Sequence, residues 1–395
     1  MFFNRFWACF GWTAGVLAMV GSTATSDEGL PTGLVKEKPA EGRFVETDKG
    51  FMVPYEVHIP GSKATFRMLP IPGGTFKMGS PESEEGREED EGPPVEVRIE
   101  PYWIAECEVS WTEYKHFMSM YEVFKKFEFR GIRTVTDENR SQTITCPTPL
   151  YEPTFTFELG EDDTQPAVTM SHYSARQYSK WMTYLMSNFY RWPTEAEWEY
   201  ACRAGSTDAY SFGNDASELG EYAWYYDNAD ESYHDVGTKK PNAWGLHDMH
   251  GNVAELCMDQ YAADTYAKLQ GETQNATDMI VWTTKMFPHV IRGGSWDSDA
   301  AGCRSASRDM TDDWREEDPN EPKSPWWFTG EPGRAVGFRL VRPLNEPAEE
   351  VKQKFWAEDS VLLEIAVDNR LEGGRGVRAV VDPDLPEAAK QVEDE

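Results

Sequence analysis

The segment at residues 290–308, VIRGGSWDSDAAGCRSASR, carries the most information about the fold and the chemistry of this 395-residue chain. A short apolar run is followed by Gly293 and Gly294 and then by small polar residues, a pattern that indicates a strand ending in turns. Ser298 and Cys303 stand five positions apart in the part that follows. One hydroxyl and one thiol are therefore expected in an irregular loop.

The same character extends over most of the second half of the chain. From Ser206 onward Gly, Asn, Asp and Trp are frequent and turn signals recur every few residues, so irregular loops and short strands are expected. Residues 336–342, VGFRLVR, are predicted to form a closing strand.

Three helix starts upstream are recognisable by their capping residues. SWTE at 110–113 and TEAE at 194–197 each place a hydroxyl three residues ahead of a carboxylate, which is the capping-box pattern. Ser171 is expected to cap a third helix. The helix after Thr194 is predicted to stop near Gly205. Aromatic residues follow these starts at helical spacing, which predicts buried helix faces.

Residues 1–25 are typical of a secretory signal peptide. Arg5 supplies a positive charge, an apolar stretch follows, and small residues stand where cleavage would occur. The apolar stretch is shorter than a bilayer span requires, and an uncleaved N-terminal anchor is the alternative. The mature protein is therefore expected to be exported, to the periplasm, the extracellular space or a secretory lumen, with no membrane association after cleavage.

The remainder divides by composition into three parts. Residues 26–65 are interpreted as a linker with an early strand near 51–59, and the main domain is expected over residues 66–344. An aromatic-rich insertion is placed at about 124–160. Residues 345–395 form an acidic tail whose apolar patch at 361–367 is expected to add a strand or bind a partner, with disorder expected for much of the rest.

The charge of the chain limits the partners that it can bind. The net charge of −31 argues against nucleic acid or anionic membrane surfaces as partners. The acidic run at 82–91 lacks the Asp/Asn alternation of a calcium loop, so a solvated surface loop is expected.

An odd number of cysteines remains after the signal peptide, which requires at least one free thiol or one that pairs between chains. Buried free thiols are the default expectation for these five, Cys107, Cys146, Cys202, Cys257 and Cys303.

Motifs spread over residues 66–344 resemble those of the formylglycine-generating enzyme family, also called sulfatase-modifying factors. They stand in the family's order: PGGTFKMG at 72–79, EVS at 108–110, QPAV at 165–168, RWPTEAEWE at 191–199, PNAWGL at 241–246, GNV at 251–253, RGGSW at 292–296 and VGFR at 336–339. The resemblance implies an α+β, loop-rich, C-type-lectin-like fold with few short helices and strands.

The resemblance also implies a copper site, which this chain does not reproduce. In active members two cysteines five positions apart after Gly-Gly-Ser bind Cu(I) and use O2 to oxidise a substrate cysteine. Ser298 and Cys303 occupy those positions here. Monovalent copper needs a pair of thiolates, which a serine hydroxyl cannot supply, so copper is not expected. An alternative alignment places Cys303 just beyond the second family cysteine, and neither thiol is then present.

Structural calcium is a second implication of the resemblance. The family's calcium segment corresponds to DMHGNVAE at 248–255. The Asp248 and Glu255 carboxylates and the Gly251 and Val253 carbonyls would form a hard-oxygen site. A second family site maps near Asn228. A packed loop without an ion is the alternative.

The function predicted from these observations is an exported, non-catalytic binding module. Trp296, Asp297, Arg304 and Arg308 are predicted to line its pocket, because an aromatic face with convergent charges suits a peptide, protein or glycan ligand. In the alternative interpretation Arg304 and Arg308 pair only with acidic surface residues.

Two oxidase activities are the alternatives to this predicted binding function. A copper- and oxygen-dependent oxidase acting on a sulfatase cysteine would need Cys202 or Cys257 beside Cys303. An iron-dependent oxidase would need a histidine triad from an additional helical domain, which the sequence lacks.

Overall fold

The structure is a computed structural model that describes residues 29–136, 138–150, 152–312, 326–328, 331–372, 378–380 and 385–393. Its helices are α1 Trp111–Arg130, α2 Pro153–Thr156, α3 His172–Met186, α4 Glu195–Arg203, α5 Thr265–Lys268, α6 Glu349–Trp356, α7 Val361–Glu372 and α8 Leu385–Glu393. The predicted signal peptide lies outside the described residues.

The strands are short and scattered along the chain. They are β1 Leu34–Val35, β2 Val45–Thr47, β3 Gly50–Met52, β4 Tyr55–His58, β5 Thr65–Ile71, β6 Gly74–Met78, β7 Val95–Ile99, β8 Tyr102–Ala105, β9 Thr143–Thr145, β10 Ala254–Gln260, β11 Gln274–Asn275, β12 His289–Arg292, β13 Arg308–Met310, β14 Val336–Gly337, β15 Val341–Pro343 and β16 Arg378–Val380. Irregular loops connect these short strands and the helices, so the predicted loop-rich α+β character is confirmed.

The strands of the described part form five small sheets. Their strand orders are β1-β3-β2, β15-β8-β5-β4, β11-β7-β6, β13-β12-β10-β14 and β16-β9. The fourth sheet positions the candidate site. In it β12 lies antiparallel to β10, with Glu255 opposite Arg292, and β14 lies parallel to β10, with Ala254 opposite Val336.

All three predicted helix starts are confirmed. The Glu113 carboxylate accepts from the Ser110 backbone N–H at 2.9 Å, as a capping box requires. Thr194 Oγ1 accepts from the Glu197 N–H at 3.1 Å ahead of α4. Ser171 accepts from the N–H three residues on, at the start of α3. Helix α4 ends at Arg203, two residues before the predicted Gly205.

Aromatic residues of α1 and α3 form the centre of the main core. The ring centroids of Tyr114 and Tyr178 are 5.7 Å apart, and those of Phe117 and Trp181 are 5.3 Å apart. All four side chains are buried. Such pairs contribute about 0.5–1.5 kcal/mol beyond the burial of their surface. The predicted buried helix faces are therefore confirmed.

The early strand expected near 51–59 is present as β4, but the interpretation of the preceding residues as a linker is wrong from residue 29 onward. Strands β1 to β3 form an antiparallel sheet, and Leu34 and Met52 are buried in the main core. The segment is polar on average, but its few apolar side chains alternate with polar ones and pack onto the domain. Average composition does not reveal that alternation.

The expectations for the acidic tail also need correction. The apolar patch at 361–367 lies in helix α7, with Leu363 and Val367 buried one turn apart, and does not add a strand. Helix α6 packs against the main domain. Phe355 and Trp356 pack on Phe189, with ring centroids 5.6 and 5.3 Å away. This docking surface is contributed by distant residues, so the tail's own composition could not indicate it.

The predicted closing strand at 336–342 is divided between two sheets. Strand β14 pairs with β10, whereas β15 pairs with β8. Between them the Phe338 and Leu340 carbonyls accept from the Val109 and Ala105 N–H groups. The run is buried throughout, including Arg339 and Arg342, because it passes through the core while it changes sheets.

The cysteines of the described residues form no disulfide bonds. Cys107, Cys146, Cys202, Cys257 and Cys303 are free thiols, and all except Cys107 are fully buried. Within the described ranges, the helices are too short or too polar to traverse a bilayer.

Candidate functional site

A cavity of about 390 Å³, named the β12 cavity here, opens where strand β12 ends. The chain turns there through Gly293 and Gly294, whose φ angles of 98° and 66° favour glycine. A Cβ atom at position 294 would lie 2.8 Å from the Sγ atom of Cys303. The wall consists mostly of glycine, serine and small apolar residues, and its charged members are Arg292, Asp297, Arg308 and Asp309.

Ser298 and Cys303 occupy different environments. Ser298 lines the β12 cavity, and its Oγ atom accepts from the Ser295 N–H at 2.9 Å. Cys303 is fully buried in a small hydrophobic cluster that includes Tyr210 and Leu219. Burial raises the pKa of its thiol, and the charge of Asp299 adds to this effect. The pair of positions therefore presents a hydroxyl to the cavity and a protonated thiol to the core.

Cys202 and Cys257 do not supply a replacement thiol to the cavity. Cys202 Sγ lies 3.8 Å from Nδ1 of His250, and that nitrogen is 2.9 Å from the Cys303 carbonyl oxygen. Burial lowers the pKa of His250 to about 4 and raises that of Cys202 to about 12. Cys257 is fully buried on β10, and burial raises the pKa of its thiol as well. Neither cysteine is among the residues of the cavity wall.

The two arginines of the cavity wall are already neutralised. Arg308 Nε donates to a Glu195 oxygen at 2.6 Å, and Arg292 pairs with Glu199. Burial would raise the pKa of Glu195, but the charges of Arg308 and Arg292 outweigh it and leave the pKa below its ordinary value. These guanidinium groups thus serve as internal counter-ions.

The other two predicted pocket residues lie outside the β12 cavity wall. Arg304 is buried and binds Glu91, with N···O distances of 2.8 and 2.5 Å, and also Glu84 at 2.7 Å. Arg304 therefore pairs with acidic residues, as the alternative interpretation of the arginines predicted. It also shows that the acidic run at 82–91 is not simply a solvated loop, because Glu91 is 0% exposed. Trp296 is half-buried, and its backbone N–H donates to the Asn252 carbonyl at 2.9 Å.

Two carboxylates in the cavity wall have no cationic partner among the described residues and are available to a ligand. Asp297 and Asp309 are exposed residues, and neither forms an ion pair with another described residue. Asp309 Oδ1 accepts from the Met310 N–H at 2.7 Å, and partial burial of the carboxyl raises its pKa. The net charge that the wall offers to a ligand is therefore negative.

The predicted calcium segment contains a buried pair of carboxyl groups. Asp248 has a φ of 59°, and its Oδ2 atom accepts from the Gly237 N–H at 2.6 Å. Asp248 Oδ1 and Glu108 Oε2 are buried without a hydrogen-bond partner among the described residues. Burial raises the pKa of both, and the charge of Asp248 raises that of Glu108 further. Glu108 belongs to the EVS motif at 108–110, but it was not among the predicted calcium ligands.

The other predicted calcium ligands fit less well. Both oxygens of Glu255 accept from Arg339, at 2.6 and 2.5 Å, and Trp198 Nε1 donates to one of them at 2.9 Å. Asn228 closes its own turn, because its Oδ1 atom accepts from the Tyr225 N–H at 2.9 Å. Asp248 and Glu108 are therefore the carboxylates with oxygens available to a cation.

A further buried cluster joins the acidic tail to the domain. His172, His289 and Asp359 hold their ligand atoms within 4.8 Å of one another. Asp359 also pairs with Arg176, and the two imidazole rings lie 3.8 Å apart at an interplanar angle of 33°. Because Arg176 and the His289 imidazole already contact the two oxygens of Asp359, the geometry fits an ion-pair cluster better than a metal centre. Its members are too distant in sequence to form a motif.

Known proteins with similar sequences or structures were identified in three comparisons. Residues 58–344 match the model of the sulfatase-modifying factor enzyme 1-like domain. Formylglycine-generating enzyme of Thermomonospora curvata is 28% identical over 232 residues, which cover 51% of this chain and 73% of that protein. Inactive C-alpha-formylglycine-generating enzyme 2 of Bos taurus is 30% identical over 272 residues, covering 61% of this chain and 80% of that protein.

The structural comparison agrees with this family match. The structure of PvdO from Pseudomonas aeruginosa aligns with a TM-score of 0.51 and 26% identity, over 70% of this chain and 94% of that one. The matched domain model covers well over half of the chain and contains both the β12 cavity and the Asp248 segment. The chain therefore belongs to the sulfatase-modifying factor family.

Proposed function

We propose that this protein is a non-catalytic, ligand-binding member of the sulfatase-modifying factor family. The observation that carries the proposal is the composition of the β12 cavity wall, whose described residues include the Ser298 hydroxyl and no thiol. Two thiolates at one point are needed to hold monovalent copper. The bovine relative is itself named an inactive enzyme, which is consistent with a family scaffold used without catalysis.

The ligand is proposed to be a peptide or protein segment that carries a basic side chain. Arg292 and Arg308 are neutralised inside the wall, so Asp297 and Asp309 set the charge that a ligand meets. A guanidinium or ammonium group would form charge-assisted hydrogen bonds with these carboxylates. A cavity of about 390 Å³ has room for one long side chain with adjacent backbone.

Calorimetry with short peptides tests this proposal. An arginine-containing peptide should bind, and its citrulline counterpart, which has the same shape without the charge, should bind about tenfold more weakly or worse. Asp297→Asn and Asp309→Asn should each reduce the preference for arginine, whereas Asp48→Asn, at an exposed turn of the N-terminal sheet, should leave it unchanged. Equal affinities for the two peptides would exclude a cation-selective cavity.

We also propose that calcium stabilises the Asp248 segment. Three buried carboxylates, those of Glu108, Asp248 and Glu255, lie around a single guanidinium, that of Arg339. A divalent cation would balance the two surplus negative charges, which are costly to bury unpaired. The unpartnered oxygens of Asp248 and Glu108, together with the predicted Gly251 and Val253 carbonyls, are hard ligands that calcium prefers.

Export of the protein is the remaining part of the proposal. It is supported by the signal-peptide pattern of residues 1–25. N-terminal sequencing of secreted material should give a mature end close to Thr25. Secreted or membrane-bound protein that still begins at Met1 would instead support the anchored alternative.

A further inference from the structure

A second cavity, named the Lys180 cavity here, shares no wall residue with the β12 cavity. It has a volume of about 220 Å³ and lies between helix α3, the insertion and the acidic tail. Its tail residues come from α6, α7 and the turn between them, beyond the end of the matched family domain at residue 344. The cavity is therefore assembled from a family helix and from segments that this chain adds to it.

Lys180 is the buried cation of this cavity. Its side chain lines the cavity and the residue is only 7% exposed. Its Nζ atom forms no hydrogen bond or ion pair with the described residues, and its nearest aromatic contact is the Trp356 ring at 5.9 Å. By contrast, the buried guanidinium groups of Arg176 and Arg339 each form an ion pair, with Asp359 and with Glu255. An unpaired buried ammonium is costly unless a counter-ion joins it.

The surroundings of Lys180 do not supply that counter-ion. Glu358 lines the same cavity and Glu349 acts on Lys180 from a distance, but neither is within ion-pair distance of its Nζ atom. Burial lowers the pKa of Lys180 to about 8, and the two glutamates only partly offset this effect. Arg140, at the rim, is already paired with Glu364 and Asp368.

We propose that the Lys180 cavity binds a small monocarboxylate, with the Lys180 ammonium as its counter-ion. Trp356 and Val367 provide an apolar surface for the ligand's hydrocarbon part, and the volume suits a single ring or a short chain. Glu358 lines the same cavity and would repel a dianion. This second effect favours a carboxylate over inorganic phosphate.

Titration calorimetry of the full chain with benzoate tests the proposal. Benzoate should bind, inorganic phosphate should bind much more weakly, and Lys180→Met, which keeps an unbranched apolar stem, should weaken benzoate binding about tenfold or more. Lys180→Arg should retain most of the affinity, and the exposed Lys285→Met should behave as wild type. Equal benzoate binding by wild type and Lys180→Met would overturn the proposal.

Two measurements on the wild-type protein do not depend on the stability of any variant. At about pH 9 Lys180 is partly neutral, so carboxylate binding should take up a proton, which calorimetry in buffers of different ionisation heat detects. Acetic anhydride should acetylate Lys180, and benzoate should protect it selectively in peptide maps. The absence of both proton uptake and protection would exclude Lys180 as the binding group.

Discussion

Arg304 donates to both carboxylate oxygens of Glu91, a residue 213 positions earlier in the chain, at 2.8 and 2.5 Å. Both side chains are almost completely buried. The pair holds the acidic run at 82–91 against the loop that contributes Gly302 and Ser307 to the wall of the β12 cavity. Its role is therefore to hold the outer part of the site in place, whereas a contact between Arg304 and a ligand was expected from the sequence.

Removing the charge of Glu91 should destabilise the fold. Glu91→Gln leaves Arg304 with only the Glu84 carboxylate, and the free energy of unfolding should fall by about 2–3 kcal/mol. Glu82→Gln, on an exposed residue of the same loop, is the matched control and should change it by less than about 0.5 kcal/mol. Urea denaturation of the three proteins measures the difference. Equal midpoints for Glu91→Gln and wild type would show that the pair contributes little.

Calcium should raise the thermal stability of the protein. An ion that binds only the folded state stabilises it by about 2.7 kcal/mol at a hundredfold excess over its Kd. Asp248→Ala should abolish the response, and Asp297→Asn, in the β12 cavity, should preserve it. Thermal melts with calcium and with chelator provide the measurement. Identical midpoints in wild type would remove calcium from the proposed function.

The copper-loaded protein should not oxidise a sulfatase-type peptide. Incubation with a Cys-x-Pro-x-Arg peptide, followed by mass spectrometry, should show no aldehyde. Ser298→Cys should also be inactive, because the Cys303 thiol remains in the hydrophobic cluster and cannot complete the copper pair. Turnover by wild type that disappears in Cys303→Ala would restore the oxidase as the function.

Mild acid should weaken the attachment of the acidic tail. Burial lowers the pKa of His289, so below about its ordinary value of 6.5 the unfolded chain binds a proton that the folded state does not. Each such proton costs about 1.4 kcal/mol of stability per pH unit until the lowered pKa is reached. Burial would raise the pKa of Asp359, but Arg176 and His289 hold it below 3.8, so its contribution is lost only at lower pH.

The variant His289→Gln isolates this effect. Gln can still donate to Asp359 but does not titrate, so the loss of stability between about pH 6.5 and 5 should become smaller. His58→Gln, on an exposed histidine, should retain the wild-type pH profile. Denaturant midpoints at several pH values give the comparison. Parallel profiles for wild type and His289→Gln would contradict the assignment.

The sequence predicted the helix starts and the family because both depend on local or ordered patterns. Ser171 and Thr194 accept from backbone N–H groups of their own first helical turn, and the Ser110 N–H donates to the Glu113 carboxylate, so capping can be recognised in a few residues. The family motifs stand in a fixed order along the chain, and this order indicated the loop-rich α+β fold. The count of thiols near Gly294, one where the copper site needs two, was likewise evident from the sequence.

The partners of the charged side chains were decided only by the tertiary structure. Arg304 meets Glu91, Arg339 meets Glu255 and His289 meets Asp359 across long separations in sequence. Neither composition nor spacing encodes such pairs, because they depend on which loops the core brings together. The same holds for Cys303, whose fully buried side chain belongs to a hydrophobic cluster with Tyr210 and Leu219 and is not among the residues of the cavity wall. The sequence determined that a thiol is present, and the packing of distant loops decided that it is buried behind the Gly294 turn and does not line the cavity.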